Sequence, residues 1–463
     1  MLRPLVPVLA ALLAATTTAQ GWVDRTPINP SQRPSNRAFP AMCWDAAHGY
    51  ALMFGGYVGP YGGLSNETWT WNGTAWTPRA VVTPPSTGGI SIPQIPPATA
   101  MAFHPPTGDV LLVVRDTTYS WNGSNWFVQA GTIGSNLFGL PANTAMAHDP
   151  VRNQTVLYVG SRTNSFRADV SETFLWSGFG WTQVPTATLP YPVDYPSVAF
   201  DAVSGKLVLC VTGNGQTAFF EWNGNNWQQR FVAGAPSSGG ALASDSGNNR
   251  IVLFDGVMNV LPNHTWTLSN GTITQLAMGI EPARRFGTAM VFDPVRSRTV
   301  MFGGVNNLPP VGQVFPLGDL WELDLGTGPA YTFYGSGCAG SGGVPTLSPQ
   351  GTSLPRAGQN FQLHVGNLPF TAPTFLFFGL SNTTYAGLPL PLPLAVLGAP
   401  GCTGLSSAED VQFLTNVLGT AVWSVTIPNV PGAHFYNQAI VFDAAANALG
   451  ITTSNGGHGV IGF

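Results

Sequence analysis

Two arginines and three carboxylates open the search for chemistry. Arg37 and Arg285 each stand five residues before a methionine, Met42 and Met290, that belongs to a short apolar strand. Glu67, Glu172 and Asp319 stand where a later strand of three similar segments begins. A guanidinium is a planar fork of donors that suits carboxylates and hydroxyl-rich ligands. The set therefore serves either as ion pairs that brace loops or as a binding site for an acidic or sugar-like ligand. Three long loops supply further candidates, since binding often lies on loops held by a rigid scaffold. Residues 56–66 carry Tyr57 and Tyr61, residues 161–171 carry Arg162 and Arg167, and residues 305–318 are Pro- and Val-rich. Arg37, Arg285, Tyr57, Tyr61, Glu67, Asp319, Arg162 and Arg167 are the candidate ligand-binding residues.

Catalytic patterns do not stand out. There is no HExxH, no Cys-x-x-Cys, no Walker loop and no Gly-x-Ser-x-Gly. His104 and His148 occupy different registers of neighbouring segments, which fits turn and core variation better than metal binding. The recurring acids Asp45, Asp149, Asp201, Asp245 and Asp293 begin turns, where a short carboxylate accepts from nearby backbone amides. No catalytic residue, metal or cofactor is expected.

The elements that must position these side chains repeat. WNGTAW (71–76), WNGSNW (121–126) and WNGNNW (222–227) share one phrase, and WSGFGW (176–181) varies it. Asn-Gly between apolar residues signals a hairpin whose two turn positions both take positive φ. Each segment opens with a strand such as AMCWD, AMAFH or AMVFD, continues with a second apolar strand such as ALMFGG or TVMFGG, and ends in the hairpin. Six such segments of four strands describe a six-bladed β-propeller. The sixth lacks its last strand, and GWVDRTP (21–27) resembles the missing one. The strand bearing Trp22 is thus expected to close blade six beside DLWELD (319–324), which removes open edges. Trp residues repeated in register read as packing between blades, with sugar stacking as the alternative.

The diglycines Gly55-Gly56 and Gly303-Gly304, with Trp69, Trp266 and Trp321 ahead of the turns, resemble the Kelch repeat. The likeness covers about two thirds of the chain, and the middle segments keep one glycine or none. It implies an all-β ring that, in that family, serves both as a binding scaffold and as an enzyme framework. The family's copper oxidases use a Tyr, His and Cys set that no motif here reproduces.

Composition bounds the remainder. Of 463 residues 8% are charged, and the net charge of -4 comes without any basic run, so nucleic acid is not an expected partner. Residues 1–19, with Arg3, an apolar stretch and Ala19, read as a signal peptide; no later stretch is apolar and long enough for a membrane helix. The propeller is assigned to 20–328 and an alternating, Gly/Pro-punctuated region at 329–463 to a C-terminal β-sandwich. That region resembles C-terminal domains of secreted bacterial repeat proteins. Export makes a Cys338–Cys402 disulfide the expected pairing, with Cys43 and Cys210 as buried thiols. The expected function is a secreted, non-catalytic binding or scaffold protein for an extracellular glycan or protein. An extracellular carbohydrate-active enzyme (isomerase, lyase or oxidase) and a structural envelope protein are the alternatives.

Overall fold

The computed structural model describes residues 21–462 except 60–62, 88–98, 135–141, 162–169, 188, 190–193, 214–215, 237, 257–263, 277, 279, 307–314, 327, 429 and 431. The protein is all-β and divides into two compact units, Gly21–Asp324 and Leu325–Phe463.

The first unit consists of successive four-stranded antiparallel sheets. Sheet one is Ala41–Asp45, Tyr50–Phe54, Thr68–Trp71 and Trp76–Arg79. Sheet two runs from Thr99–His104 to Trp126–Thr132, sheet three from Ala142–Asp149 to Trp181–Val184, and sheet four from Asp194–Asp201 to Trp227–Arg230. Sheet five runs from Gly240–Asp245 to Thr272–Gln275. Sheet six is Ala289–Asp293, Arg298–Phe302 and Leu320–Asp324, joined by the strand Gly21–Asp24. The first strand of each sheet contacts that of the next, and the sixth contacts the first, so the sheets form a closed, propeller-like ring.

Local chemistry explains the repeat. Trp71 pairs with Trp76, Trp121 with Trp126, Trp176 with Trp181 and Trp222 with Trp227. Four residues therefore lie between each pair, and the two-residue turn expected from Asn-Gly is corrected to a longer one. Only the glycine takes positive φ, as at Gly73 (96°) and Gly224 (104°). The asparagine acts through its side chain instead: Asn72 Oδ1 accepts from the Thr74 and Ala75 amides, both at 2.9 Å.

The aromatic rings of these hairpins sit between sheets. Trp126 packs edge-on against Phe54 of sheet one, and Trp227 against Tyr158 of sheet three. Each aromatic side chain removes about 150–250 Å² from water, worth several kcal/mol at ~25 cal/mol per Å² before entropy is counted. The sixth sheet completes itself with Gly21–Asp24, where Trp22 pairs with Leu323 and Val23 with Glu322. Buried Glu322 then gathers three donors: Arg25 Nε at 3.3 Å, Arg296 Nη1 at 2.5 Å and the Trp71 indole at 3.1 Å.

In the second unit, one sheet orders Ala330–Tyr334, Ile451–Val460, His434–Phe442, Thr374–Gly379 and Asp410–Leu414. The other orders Thr346–Pro349, Asn360–Gly366, Thr420–Thr426 and Asn416–Val417. Phe361, Leu363 and Trp423 of the smaller sheet share one core with Leu376, Phe378 and Phe435 of the larger. Cys338 and Cys402 form a disulfide, while Cys43 and Cys210, in the first unit, are free and buried. Burial raises the Cys43 thiol well above its ordinary value and pushes Cys210 up to about 12, so both stay protonated and unreactive.

Candidate functional site

Arg37 and Arg285 occupy equivalent places in sheets one and six. Arg37 donates to Ser35 O (3.0 Å), Gly55 O (3.0 Å) and Glu67 Oε2 (2.6 Å). Arg285 donates to Ala283 O (2.9 Å), Gly303 O (3.1 Å) and both Asp319 oxygens (2.6 and 2.7 Å). Each acid also accepts the indole N–H two residues on, Trp69 at 3.1 Å and Trp321 at 2.7 Å. Burial pushes the Asp319 and Glu67 carboxyls up, but the arginine, through hydrogen bonding and charge, and the indole together hold both below their ordinary values. Both guanidiniums are fully buried, so these clamps grip the base of the loops. Sheet five keeps the tryptophan but takes its acid from the end of the second strand, where sheet one has Gly55: Asp255 accepts from the Trp266 indole at 2.9 Å, and burial raises its carboxyl.

The same clamps fix a second feature. The Arg37 carbonyl accepts from Gly304 N at 3.0 Å, and Phe39 N donates to Gly287 O at 2.7 Å. Gly303 and Gly304 have φ of 69° and 102°, and a Cβ at Gly303 would lie 2.4 Å from the Arg37 carbonyl oxygen. Only glycine allows that approach. Two residues beyond Arg37 lies Phe39, and two beyond Arg285 lies Gly287.

Phe39 and Tyr195 stack in parallel, offset planes, with centroids 5.6 Å apart and planes 12° apart. Phe286 packs against both, at 5.9 Å from Phe39 and 5.6 Å from Tyr195. Phe39 precedes sheet one and Tyr195 lies on the first strand of sheet four, so the pair joins two sheets that are not neighbours in the ring. Both residues reach the stack through a left-handed backbone, φ 53° at Phe39 and 50° at Tyr195, and both precede a proline. Left-handed φ at a non-glycine costs on the order of 1–3 kcal/mol, and such strain gathers at functional sites.

A cavity of about 200 Å³ adjoins these rings. Every first strand contributes to its wall, through Met42, Met101, Asn143, Ser197, Leu242 and Met290, and Thr288 lines it just ahead of the sixth. Thr144 also lines it, and its buried hydroxyl has no hydrogen-bond partner among the described residues. The ionisable groups among the described lining residues are Arg285 and Tyr195.

The candidates read from sequence thus fall in three places. Arg37, Glu67, Arg285 and Asp319 form the two clamps. Tyr57 is buried in the short strand that pairs with Arg37–Ala38. Tyr61, Arg162 and Arg167 lie outside the described residues. His104 and His148 meet at Thr155, whose Oγ1 lies 2.8 and 3.0 Å from their Nδ1 atoms. Sequence reasoning missed the aromatic bridge, although a signal existed. Phe39-Pro40 and Tyr195-Pro196 both stand six residues before the turn acids Asp45 and Asp201.

No protein-family model and no curated protein sequence matches this chain. Among solved structures it is similar to the SapL1 lectin in complex with alpha methyl fucoside, at TM-score 0.38 and 15% identity over 61% of this chain and 97% of that one. An alpha-L-arabinanase of Penicillium chrysogenum complexed with arabinobiose gives TM-score 0.44 and 12% identity over 66% and 98%. A putative exo-beta-1,3-galactanase of Bifidobacterium bifidum gives 0.38 and 9% over 58% and 99%.

Proposed function

We propose that this is an exported glycan-binding protein whose first unit is a six-bladed, Kelch-type propeller and whose second is a β-sandwich. Residues 1–19 act as its signal peptide, and the Cys338–Cys402 disulfide suits an oxidising compartment. The observation that carries the reading is the Phe39–Tyr195 stack beside a cavity walled by hydroxyl, amide and thioether side chains. Aromatic faces bind the apolar face of a sugar, and threonine, serine and asparagine exchange hydrogen bonds with its hydroxyls. Thr144 offers a buried hydroxyl that a ligand would satisfy. A wall whose ionisable side chains, among the described residues, are one clamped arginine and one tyrosine favours binding over acid–base turnover. Arg37 and Arg285 act as positioning residues that hold the aromatic bridge.

The test is a glycan array with the mature protein, followed by calorimetry on any hit. Tyr195→Ala and Thr144→Val are expected to weaken that hit by at least about tenfold, equivalent to 1.4 kcal/mol. Binding unchanged in both variants sinks the assignment to this cavity. Turnover of an arrayed sugar, lost in Glu67→Gln, replaces it with an enzymatic function.

A further inference from the structure

The second unit carries a ladder of rings on one face of its five-stranded sheet. Tyr334, on the first strand, packs edge-on against Tyr436 at 6.1 Å. Tyr436 stacks on His458 at 4.7 Å and 12°, and His458 stacks on His434 at 5.1 Å and 26°. The strand register makes this possible: Tyr436 lies opposite His458, and His434 sits two residues earlier on the same strand, on the same face. Gly456 makes room for the ladder, since a Cβ there would come within 2.6 Å of the Tyr334 ring. His434 is exposed and His458 half-buried.

The two imidazoles meet through nitrogen. His434 Nδ1 lies 2.9 Å from His458 Nε2, so one of the two nitrogens donates to the other. Such a bond needs at least one neutral ring.

The geometry points to a surface site for a divalent transition cation, held by His434 Nδ1 and His458 Nε2 as a two-nitrogen clamp. With metal–nitrogen distances of about 2.0–2.1 Å, a 2.9 Å separation corresponds to a nitrogen–metal–nitrogen angle of roughly 90°. That angle suits tetragonal Cu2+ or Ni2+ better than tetrahedral Zn2+. A rotation of the exposed His434 ring brings both lone pairs to one point. The proton shared by the facing nitrogens moves to the far nitrogen of its own ring, so two neutral imidazoles bind the ion without net proton release. Stacking on Tyr436 holds the His458 ring in place, and water completes the coordination. The site belongs to the second unit and does not depend on the glycan reading of the ring.

Copper(II) titration of the mature full chain, followed by calorimetry and electron paramagnetic resonance, tests it. One ion per chain with two-nitrogen coupling is expected, with Ni2+ next and Zn2+ weaker. His434→Gln and His458→Gln should each weaken binding by at least about tenfold and reduce the coupling to one nitrogen. His364→Gln, on the other sheet, should leave it unchanged, and Tyr436→Phe should keep it. Copper affinity equal to wild type in both the His434 and His458 variants, or equally weakened by His364→Gln, overturns the site. Both histidines face water at least in part, so native circular dichroism in the variants separates lost binding from lost fold.

Discussion

The Trp22 indole donates to Thr265 Oγ1 at 2.7 Å across the seam between sheets five and six. The same bond recurs round the ring, from Trp126 to Thr68 (2.8 Å), from Trp181 to Thr118 (2.8 Å) and from Trp227 to Thr173 (3.0 Å). The strand that begins the described chain thus enters a socket that other sheets fill with the second tryptophan of a hairpin. Trp76 breaks the series. The position equivalent to Thr68 and Thr265 in sheet six is Leu320, opposite Phe302, and the buried Trp76 N–H has no partner among the described residues.

Removing the acceptor at the closing seam should therefore be costly. Thr265→Val leaves the Trp22 N–H buried and unpaired, a loss of about 1–3 kcal/mol. Trp76→Phe removes an N–H that already lacks a partner and should cost about 1 kcal/mol less than Trp126→Phe. Urea unfolding midpoints for the variants check both, provided the unfolding slope is unchanged.

Acid should loosen the loop clamps. The Asp319 and Glu67 carboxyls are held below their ordinary values, so the unfolded chain binds more protons than the folded one as pH falls through that window. Their contribution is complete above the ordinary carboxyl range, roughly pH 4, and is lost as pH drops through the lower folded values. Asp319→Asn should lower Tm at pH 7, and its deficit relative to wild type should shrink towards pH 3. A deficit that stays constant with pH assigns the loss to packing instead.

How much of this was legible beforehand depends on the range of the interaction. The hairpins show in the sequence because their determinants, a glycine and an asparagine side chain, lie within six residues. In the Trp-flanked hairpins the Asn-Gly signal misplaced the turn type, because Asn72 caps the turn through Oδ1, whereas Asn270-Gly271 of sheet five keep the two-residue turn, with φ of 48° and 78° between the paired Ser269 and Thr272. Arg37 and Arg285 were visible as a matched pair, and their partners followed from register. Their burial was not visible, since it depends on Gly55 and Gly303 presenting carbonyls from another strand. The Phe39–Tyr195 stack joins residues 156 positions apart and requires a backbone conformation that both side chains disfavour. No local pattern encodes that contact; only the alignment of the two aromatic-proline pairs against the turn acids hints at it.

His104 and His148 give the ring a second pH response, nearer neutrality. Burial lowers both pKa values, and for His148 the charge of His104 lowers it further. The unfolded chain then binds more protons between the lowered values and the ordinary one of roughly 6.5. Stability contributed by the neutral pair is complete above that value and falls as pH drops through the window. His148→Phe places the side chain that Phe103, Phe200 and Phe292 supply in other sheets, and it should flatten the decline below about pH 6.5. Thermal melts across that range decide the matter; an unflattened curve assigns the decline elsewhere.

The aromatic bridge should be sensitive to a single methyl group. Gly287 has φ 63°, and a Cβ there would lie 2.4 Å from the Phe39 ring. Gly287→Ala therefore imposes two penalties, about 1 kcal/mol for the left-handed backbone and a further cost for displacing Phe39 from Tyr195. The two separate in a double-mutant cycle, because Phe39→Ala removes the obstructing ring and leaves the backbone term. The combined variant should be more stable than the sum of the single effects predicts, by at least about 1 kcal/mol, whereas independent sites add to within ~0.5. Strict additivity means that Phe39 yields freely and that its stack on Tyr195 holds the mouth of the ring only loosely. Coupling of the expected sign, together with weaker glycan binding in Gly287→Ala, ties the bridge to recognition.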